Sequence, residues 1–595
     1  MSEEKLTSNK LDIEQKRQSL NNSEDNRESY KPISEDTGLD HVSGDTAKNS
    51  NMVRENLNAQ DGADEKMLGT DDKETLALKD VEVKFIAADP NGDAKIEIET
   101  AEKTFTGMTK EELMKYANDP FWVKLRWFMF ILFWAAWIGM LVGAVLIIIN
   151  APKCAPPTPL PWYKEGPLVL IGNNANSVDV EQLAKHEVQG VIYELDGDKT
   201  YKIDDVQNDI KIIVDKFKAK NIHVVIDLTP NYVTSDDELL KKALGGDIES
   251  QAAFVTSDKK TNFKKVKEGG DAWEDQGNNK YYLKQFGTNY DLRLDNALAQ
   301  DKFKGVLAKL AEVGVKGFRL SNAKHFIIKE GVFQDNAVVP DPHGLGVDEY
   351  LFYVNSQTTF QKGLGQLLHD LNSYVKNITN DEGFLTIKDD LSAHMKDYAV
   401  GEFLGFELPR FGFINSIFHS PDATKAKILK DNFDKIHEHL SSDSTKWMQI
   451  EYGKHAYENF DESAFKLFIG LLNGVQIASF NDLVNINNNT DLYTKIQKEH
   501  ETTVFQHGSF ESYLSEDATA FAYSRMKSGN PGYFVVVNPS NNKITAKFNE
   551  TSVLGSDLTF VMFSNNFDEP PKNKVKLSEI EMPKQSTAIF TFVPK

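Results

Sequence analysis

Cysteine is almost absent, with a single residue, Cys154, in 595. That excludes an internal disulfide framework and any cysteine-rich metal site. Excess positive charge is missing too: 67 Lys and Arg stand against 89 Asp and Glu, a net charge of −22. Nucleic-acid binding needs a concentrated basic face, so no nucleic-acid partner is expected. Aromatic residues are nearly missing from the first hundred positions, which are rich in Ser, Asn, Asp, Glu and Lys. Such a segment buries too little apolar surface to offset its chain entropy, so residues 1–105 are expected to form a disordered acidic tail. A short hairpin is expected around Val81–Ile98, where alternation flanks a Pro-Asn-Gly turn. No apolar stretch sits at the N-terminus, so a cleaved signal peptide is not expected. The length exceeds one compact core and predicts two or three domains.

Long apolar runs are also lacking, with one exception. From Trp127 to Ile149 the chain reads WFMFILFWAAWIGMLVGAVLIII without a charged residue. As a helix this run is about 35 Å long, enough to cross a hydrocarbon core of about 30 Å in membrane lipid. Thr109-Lys110-Glu111-Glu112 fits a capping box and predicts a juxtamembrane helix over 106–126. Lys110, Lys115, Lys124 and Arg126 precede the span closely, whereas Lys153 and Lys164 follow it. This bias predicts a cytosolic N-terminus and an extracellular C-terminal part, a type II membrane protein. Within the span, Ala135, Gly139 and Gly143 recur every four residues and form a small-residue face on which another helix can pack.

A proline-rich stalk, 150–165, contains APKCAPPTPLP. Beyond it, strand-like runs are predicted at Leu168–Ile171, Gly190–Glu194, His223–Leu228, Val315–Leu320, Phe384–Ile387, Gly412–Ile417, Trp447–Ile450 and Val475–Ala478. Eight such runs, mostly separated by amphipathic helical segments such as Val206–Lys220, predict a (β/α)8 barrel over 166–500. From 501 to 595 the character changes. FAYSR, YFVVVN, LTFVMF and TAIFTF alternate with turn residues, as in an antiparallel β-sandwich.

Two motifs then bear on chemistry. Ile226–Tyr232, IDLTPNY, resembles the third-strand motif of α-amylase-type glycoside hydrolases, and Gly314–His325, GVKGFRLSNAKH, resembles their fourth-strand motif. YYLKQF and YDLRLDN lie between them and resemble that family's maltases. The likeness runs from about Gly166 to the end and implies an α-amylase-like (β/α)8 barrel and a C-terminal antiparallel β-sandwich; with the single transmembrane helix read above, the fold class is α/β. A segment over 233–285 looks like a small insertion after the third strand. Asp227, Asn231, Arg319 and His325 are remnants of the family motifs, with Tyr232 where the family has His.

The departures predict an inactive enzyme. The position of the family's nucleophilic Asp is held by Ser321, and Lys388, Asp389 and Asp390 follow FLTI where the acid Glu is due. Retaining hydrolysis needs two carboxyl groups about 5 to 5.5 Å apart, and a serine hydroxyl needs an activating base. Ile450, Glu451 and Tyr452 stand where the family has its His-Asp pair, and Glu402 and Glu407 read as loop carboxylates. No catalytic residue, metal or cofactor is therefore expected.

Finally, KTFTGMTKEELMKYANDPFW, the span, and NAPKC together closely resemble the heavy chains of heteromeric amino-acid transporters, of the cell-surface antigen heavy chain type. This implies a non-catalytic subunit at the plasma membrane that stabilises and delivers a multi-spanning light chain. Cys154 holds the family's stalk position for an interchain disulfide; a lone cysteine in an oxidising compartment has no internal partner, leaving interchain pairing or a free thiol. Sequons at Asn377, Asn488 and Asn549 are expected glycan sites. A standalone cell-surface receptor or adhesion protein and a membrane-anchored α-glucosidase remain as alternative readings.

Overall fold

The computed structural model describes residues 108, 110–150, 158–339, 344–440, 447–453, 457, 459–486, 490–569 and 572–595. The expected hairpin near Val81–Ile98, Thr109 of the capping box, Cys154 and Asn488 lie outside them. The chain divides into two units, Met1–Ala151 and Pro152–Lys595.

In the first unit, helix α1, Lys110–Ala117, is followed by α2, Pro120–Asn150. The juxtamembrane helix expected over 106–126 is thus broken, and the helix that contains the apolar run 127–149 starts at Pro120. The cause is local. Proline disfavours helical geometry in the residue before it but fits the first helical position. Asp119 then caps α2, its Oδ1 accepting from Phe121 N at 2.9 Å. At 31 residues, α2 is about 46 Å long. It is the one helix among the described residues long and apolar enough to cross a membrane.

The second unit begins with a parallel sheet. Its strands are β1 Leu168–Gly172, β2 Gly190–Glu194, β3 His223–Leu228, β4 Gly317–Leu320, β5 Phe384–Ile387, β6 Met448–Tyr452 and β7 Gly474–Ser479. They are hydrogen-bonded in the order β5-β4-β3-β2-β1-β7-β6. Buried on both faces, they read as near-continuous apolar runs, as parallel strands under helices must. Helices α3 Ile203–Lys218, α4 Ala297–Glu312, α5 Leu364–Ile378 and α6 Asp422–His439 cover the outside with their apolar faces.

The expected sixth strand, Gly412–Ile417, is instead a short helix, Phe413–Ser416, running into a 3₁₀ turn. The barrel is closed one step earlier. Arg410 bridges in parallel to Asp390 on one side and to Gln449 on the other. Glu407 N donates to Leu385 O at 2.9 Å, and Gln449 N donates to Pro409 O at 2.9 Å. Proline lacks an amide donor, so this segment makes no regular strand. Side chains complete the seam. Buried Gln449 Nε2 donates to Thr386 Oγ1 at 2.8 Å, Ile387 O at 2.9 Å and Leu408 O at 2.7 Å.

The entry end of the barrel is sealed by Trp162, stacked on His223 at 4.2 Å, and Tyr163, stacked on Phe384 at 4.4 Å. Gly190 makes room for the first ring: a Cβ there would lie 2.8 Å from Trp162 Cζ3. The segment after β3 is a small layer with its own three-stranded sheet and an apolar cluster that includes Phe263, Trp273 and Ile328, so the expected insertion has a fold of its own.

The C-terminal part is a six-stranded antiparallel sheet facing a two-stranded ribbon. Strand β8, Gly532–Asn538, is buried throughout. Alternation splits it: Tyr533, Val535 and Val537 join the barrel's core, whereas Phe534 and Val536 join the sandwich core. Buried Arg525 fastens the two parts, its guanidinium donating to Leu471 O at 2.9 Å, to Gly508 O at 3.3 Å and to Phe505 O.

Gln449→Leu removes the donor that spans the irregular sixth position and takes one hydrogen bond from each of Thr386 Oγ1, Ile387 O and Leu408 O, of which Leu408 O keeps the Thr386 hydroxyl. A loss of about 2 kcal/mol is expected, read as a lower urea midpoint; an unchanged midpoint would mean that backbone bridges alone close the barrel.

Candidate functional site

Parallel register places one row of side chains across the barrel near the C-terminal ends of its strands. Glu194 on β2 pairs with Asp227 on β3, Asp227 with Arg319 on β4, and Arg319 with Thr386 on β5. Residues in register on adjacent strands point to the same face, so carboxylate and guanidinium are forced together. This is where a barrel of this kind carries its chemistry.

Both oxygens of the buried Asp227 are engaged. Ser321 Oγ donates to Oδ1 at 2.9 Å. Lys388 Nζ lies 3.4 Å from Oδ2 and 3.2 Å from Glu194 Oε1, and Arg319 Nη1 lies 3.9 Å from Oδ2. Arg319 is 3% exposed; burial lowers its pKa, against the pull of Asp227. Across the mouth, Arg410 forms a two-pronged pair with Glu451, Nε to Oε1 at 2.8 Å and Nη2 to Oε2 at 3.0 Å. Asp227, Glu194 and Glu451 are thus each paired with a cation in this cluster.

The carboxylates that could replace a missing acid are committed elsewhere. Asp389 Oδ2 accepts from Lys324 N and from the Tyr398 hydroxyl, both at 2.8 Å. Asp390 Oδ1 accepts from Ser392 N and Gly412 N, both at 2.9 Å. Glu407 pairs with Lys164 at 2.8 Å, beside the Tyr163 that seals the opposite end. Glu402 is exposed on a loop.

The other motif residues fall into two neighbouring groups. Asn231 Nδ2 donates to Asn322 O at 3.0 Å. His325 is enclosed, its Nδ1 2.9 Å from Thr358 O and its Nε2 3.1 Å from the Tyr350 hydroxyl. Burial lowers its pKa to about 3, so it is neutral, donating to the carbonyl and accepting from the phenol. Tyr232 leans on Phe286 at 5.6 Å, and Phe286 meets His325 edge-on at 5.5 Å. Burial, aided by Asp198 and Asp196, pushes the Tyr232 hydroxyl up to about 12.

Chemically, the mouth binds itself. A hydroxyl nucleophile needs a base free to take its proton, and Ser321 donates to a carboxylate already shared with an ammonium. The structure brings Asp227, Arg319 and Ser321 together, as their motifs imply. It adds Lys388, Glu194, Arg410 and Glu451, whose pairing no motif signals; only the lysine after FLTI hinted at it. No group of three or more His, Cys, Asp or Glu placed to hold a metal is found among the described residues.

Elsewhere, Ala135, Gly139 and Gly143 lie along α2, where a Cβ on either glycine would meet nothing within 4 Å. Asn377, near the end of α5, and Asn549, in a loop, are both exposed.

Residues 93–169 match the family model described as the solute carrier family 3 member 2 N-terminus, and residues 200–486 match the α-amylase catalytic domain. The amino acid transporter heavy chain SLC3A2 of Mus musculus is 34% identical over 174 residues, 24% of this chain and 33% of that protein. A 4-alpha-glucanotransferase of Thermotoga maritima is 30% identical over 122 residues, 20% of this chain and 28% of that protein. The chain therefore spans about a third of the length of the curated relatives it matches. Among solved structures, the trehalose-6-phosphate hydrolase of Bacillus licheniformis aligns with a TM-score of 0.53 at 14% identity, covering 73% of this chain and 100% of that one. A likeness at that identity speaks to the fold.

His325 predicts a pH dependence. In the unfolded chain it takes a proton near its ordinary pKa of 6.5, whereas the folded site resists one down to about 3. Stability is therefore lost as pH falls through that window. In His325→Gln the loss should be shallower by one proton, as followed by urea unfolding between pH 6.5 and 4; an unchanged slope would mean that His325 titrates normally in the fold.

Proposed function

We propose that this chain, which belongs with the heavy chains of heteromeric amino-acid transporters, is the non-transporting subunit of such a pair, holding a multi-spanning light chain in the plasma membrane and delivering it there. The observation that carries this reading is the match over residues 93–169, because it takes in the membrane span, a feature that glycosidases lack. In this reading the acidic tail 1–105 is cytosolic, the span 127–149 crosses once, the stalk 150–165 stands outside, and the barrel (166–500) and sandwich (501–595) are extracellular. The lysines and arginine clustered before the span support that orientation.

Contact with the light chain is proposed at two places. The small-residue face of Ala135, Gly139 and Gly143 admits a neighbouring helix closely, since no side chain stands in the way. Cys154 supplies the interchain disulfide, a few residues above the bilayer. Asn377, Asn488 and Asn549 carry glycans in this reading; the exposure of Asn377 and Asn549 is compatible with that.

The barrel is proposed to be catalytically silent. Glycoside hydrolysis passes through a positively charged transition state between two carboxyl groups. Here a serine stands at the nucleophile's position, and the ammonium of Lys388 occupies the mouth. Restoring the nucleophile alone, as Ser321→Asp, should therefore give no turnover of an aryl α-glucoside, because Lys388 still stands where the acid is due. Robust turnover by the unmodified protein, abolished by Asp389→Asn, would return the glucosidase reading.

The heterodimer is tested on non-reducing gels of native membranes. A large species that collapses on reduction and is missing in Cys154→Ser is expected. Surface delivery is expected to survive in that variant where helix packing suffices. A monomer alone in native membranes would favour the standalone receptor.

A further inference from the structure

Where the sandwich ribbon meets the edge of the large sheet, a cavity of about 900 Å³ opens, within the size range of small-molecule sites. Half-buried Phe567 and Val575 give it an apolar lining, and buried Phe590 of the sandwich core borders it. Its wall is anchored, because Asn566 Nδ2 donates to Lys584 O at 2.8 Å and Gln585 O at 2.7 Å.

The rim is unusual in its charges. Lys572, Lys574 and Lys584 line it and form no ion pair among the described residues. Asp568, Glu569 and Glu579 line it as well and are likewise unpaired among the described residues. Their neighbours behave differently: Lys543 pairs with Glu581 at 2.9 Å, and Lys576 with Asp557 at 2.6 Å. Cations and anions are therefore presented side by side around one concavity without closing into ion pairs, with Asp568 and Lys572 near enough to act on Lys543 and Glu581. A polyanion entering here would meet three carboxylates, and a polycation three ammonium groups. A ligand bearing one charge of each sign meets complementary groups at both ends, and an apolar substituent has an aromatic surface to cover.

We propose that this cavity binds a zwitterion carrying an apolar group, the chemistry shared by free amino acids, short peptides and zwitterionic lipid headgroups. The site belongs to this chain alone, so it stands or falls separately from the light-chain reading.

The test is isothermal titration of the full chain, without a light chain, in an uncharged detergent. Leucyl-leucine and glycerophosphocholine are the two probes, and N-acetyl-leucine amide is the uncharged control. Saturable binding of one zwitterion at about 1 mM or tighter is expected, with none of the control. Preference for the dipeptide identifies the amino-acid source, and preference for the phosphocholine the lipid source. Lys572→Glu with Lys574→Glu should weaken binding about tenfold or more, whereas Lys547→Glu, an exposed lysine outside the cavity, should leave it unchanged. Absence of saturable binding by either probe, equal binding of the control, or indifference to the double reversal would each overturn the proposal.

Discussion

Charge buried inside a barrel has to be matched where water is scarce: Asp227 and Arg319 are 4% and 3% exposed, whereas Lys388 and Glu194 meet them from the solvent-facing rim. Removing one member of a buried pair leaves the other uncompensated at a cost of several kcal/mol. Register in the parallel sheet puts Glu194, Asp227 and Arg319 in one row, so these charges cannot avoid each other. Lys388 completes the balance by reaching both carboxylates. Arg410 and Glu451 balance each other across the mouth. By the resemblance to glycosidases, this region should carry a surplus of carboxylates to face a cationic transition state. Here a hydroxyl and an ammonium stand at the positions of the nucleophile and the acid. The same pairs that hold Asp227 in place occupy the space and the hydrogen bonds that catalysis would use.

Much of the barrel was legible in the sequence because its strands are short, apolar on both faces and bounded by turn residues. Gly190–Glu194, His223–Leu228 and Phe384–Ile387 were read at their observed limits. The sixth strand was misplaced for an identifiable reason. Gly412–Ile417 is as apolar as a buried strand, and a run that short does not distinguish strand from helix. The segment that fills the position, Glu407–Phe411, contains a proline and two charged residues, and its seam is made by the side chains of Gln449 and Thr386. Similarly, the break before the membrane helix lay in a single dipeptide, Asp119-Pro120, inside a stretch whose composition favoured one helix.

The site was legible only as far as local motifs reach. Asp227, Asn231, Arg319, Ser321 and His325 sit in two short segments, each made of a strand end and the turn after it, on adjacent strands. Lys388 stood out by its position, but its partner Glu194 is 194 residues away in the chain, and no pattern in one sequence joins the two. The pairing of Arg410 with Glu451 was hidden for a further reason: Arg410 lies in the segment not recognised as part of the sheet. Long-range electrostatic partners follow from register, and register follows from a correct strand list.

The welding of barrel to sandwich bears on how the mouth can vary while the barrel persists as a folded whole. One face of β8 belongs to each core, and buried Arg525 donates to Leu471 O in the barrel and to Phe505 O and Gly508 O at the start of the C-terminal part. The sandwich therefore relies on the barrel for one of its two buried faces. Substitutions at the mouth, where Ser321 meets Asp227 and Lys388 meets Asp227 and Glu194, change chemistry while leaving that shared core in place. Substitutions in the shared core cannot be confined in the same way, because each cavity or unpaired carbonyl there is felt in both halves at once. Rigidity and catalysis thus reside in different layers of this barrel. The mouth can give up its carboxylates while the body remains a stable platform, which is the property that the proposed role beside a membrane requires.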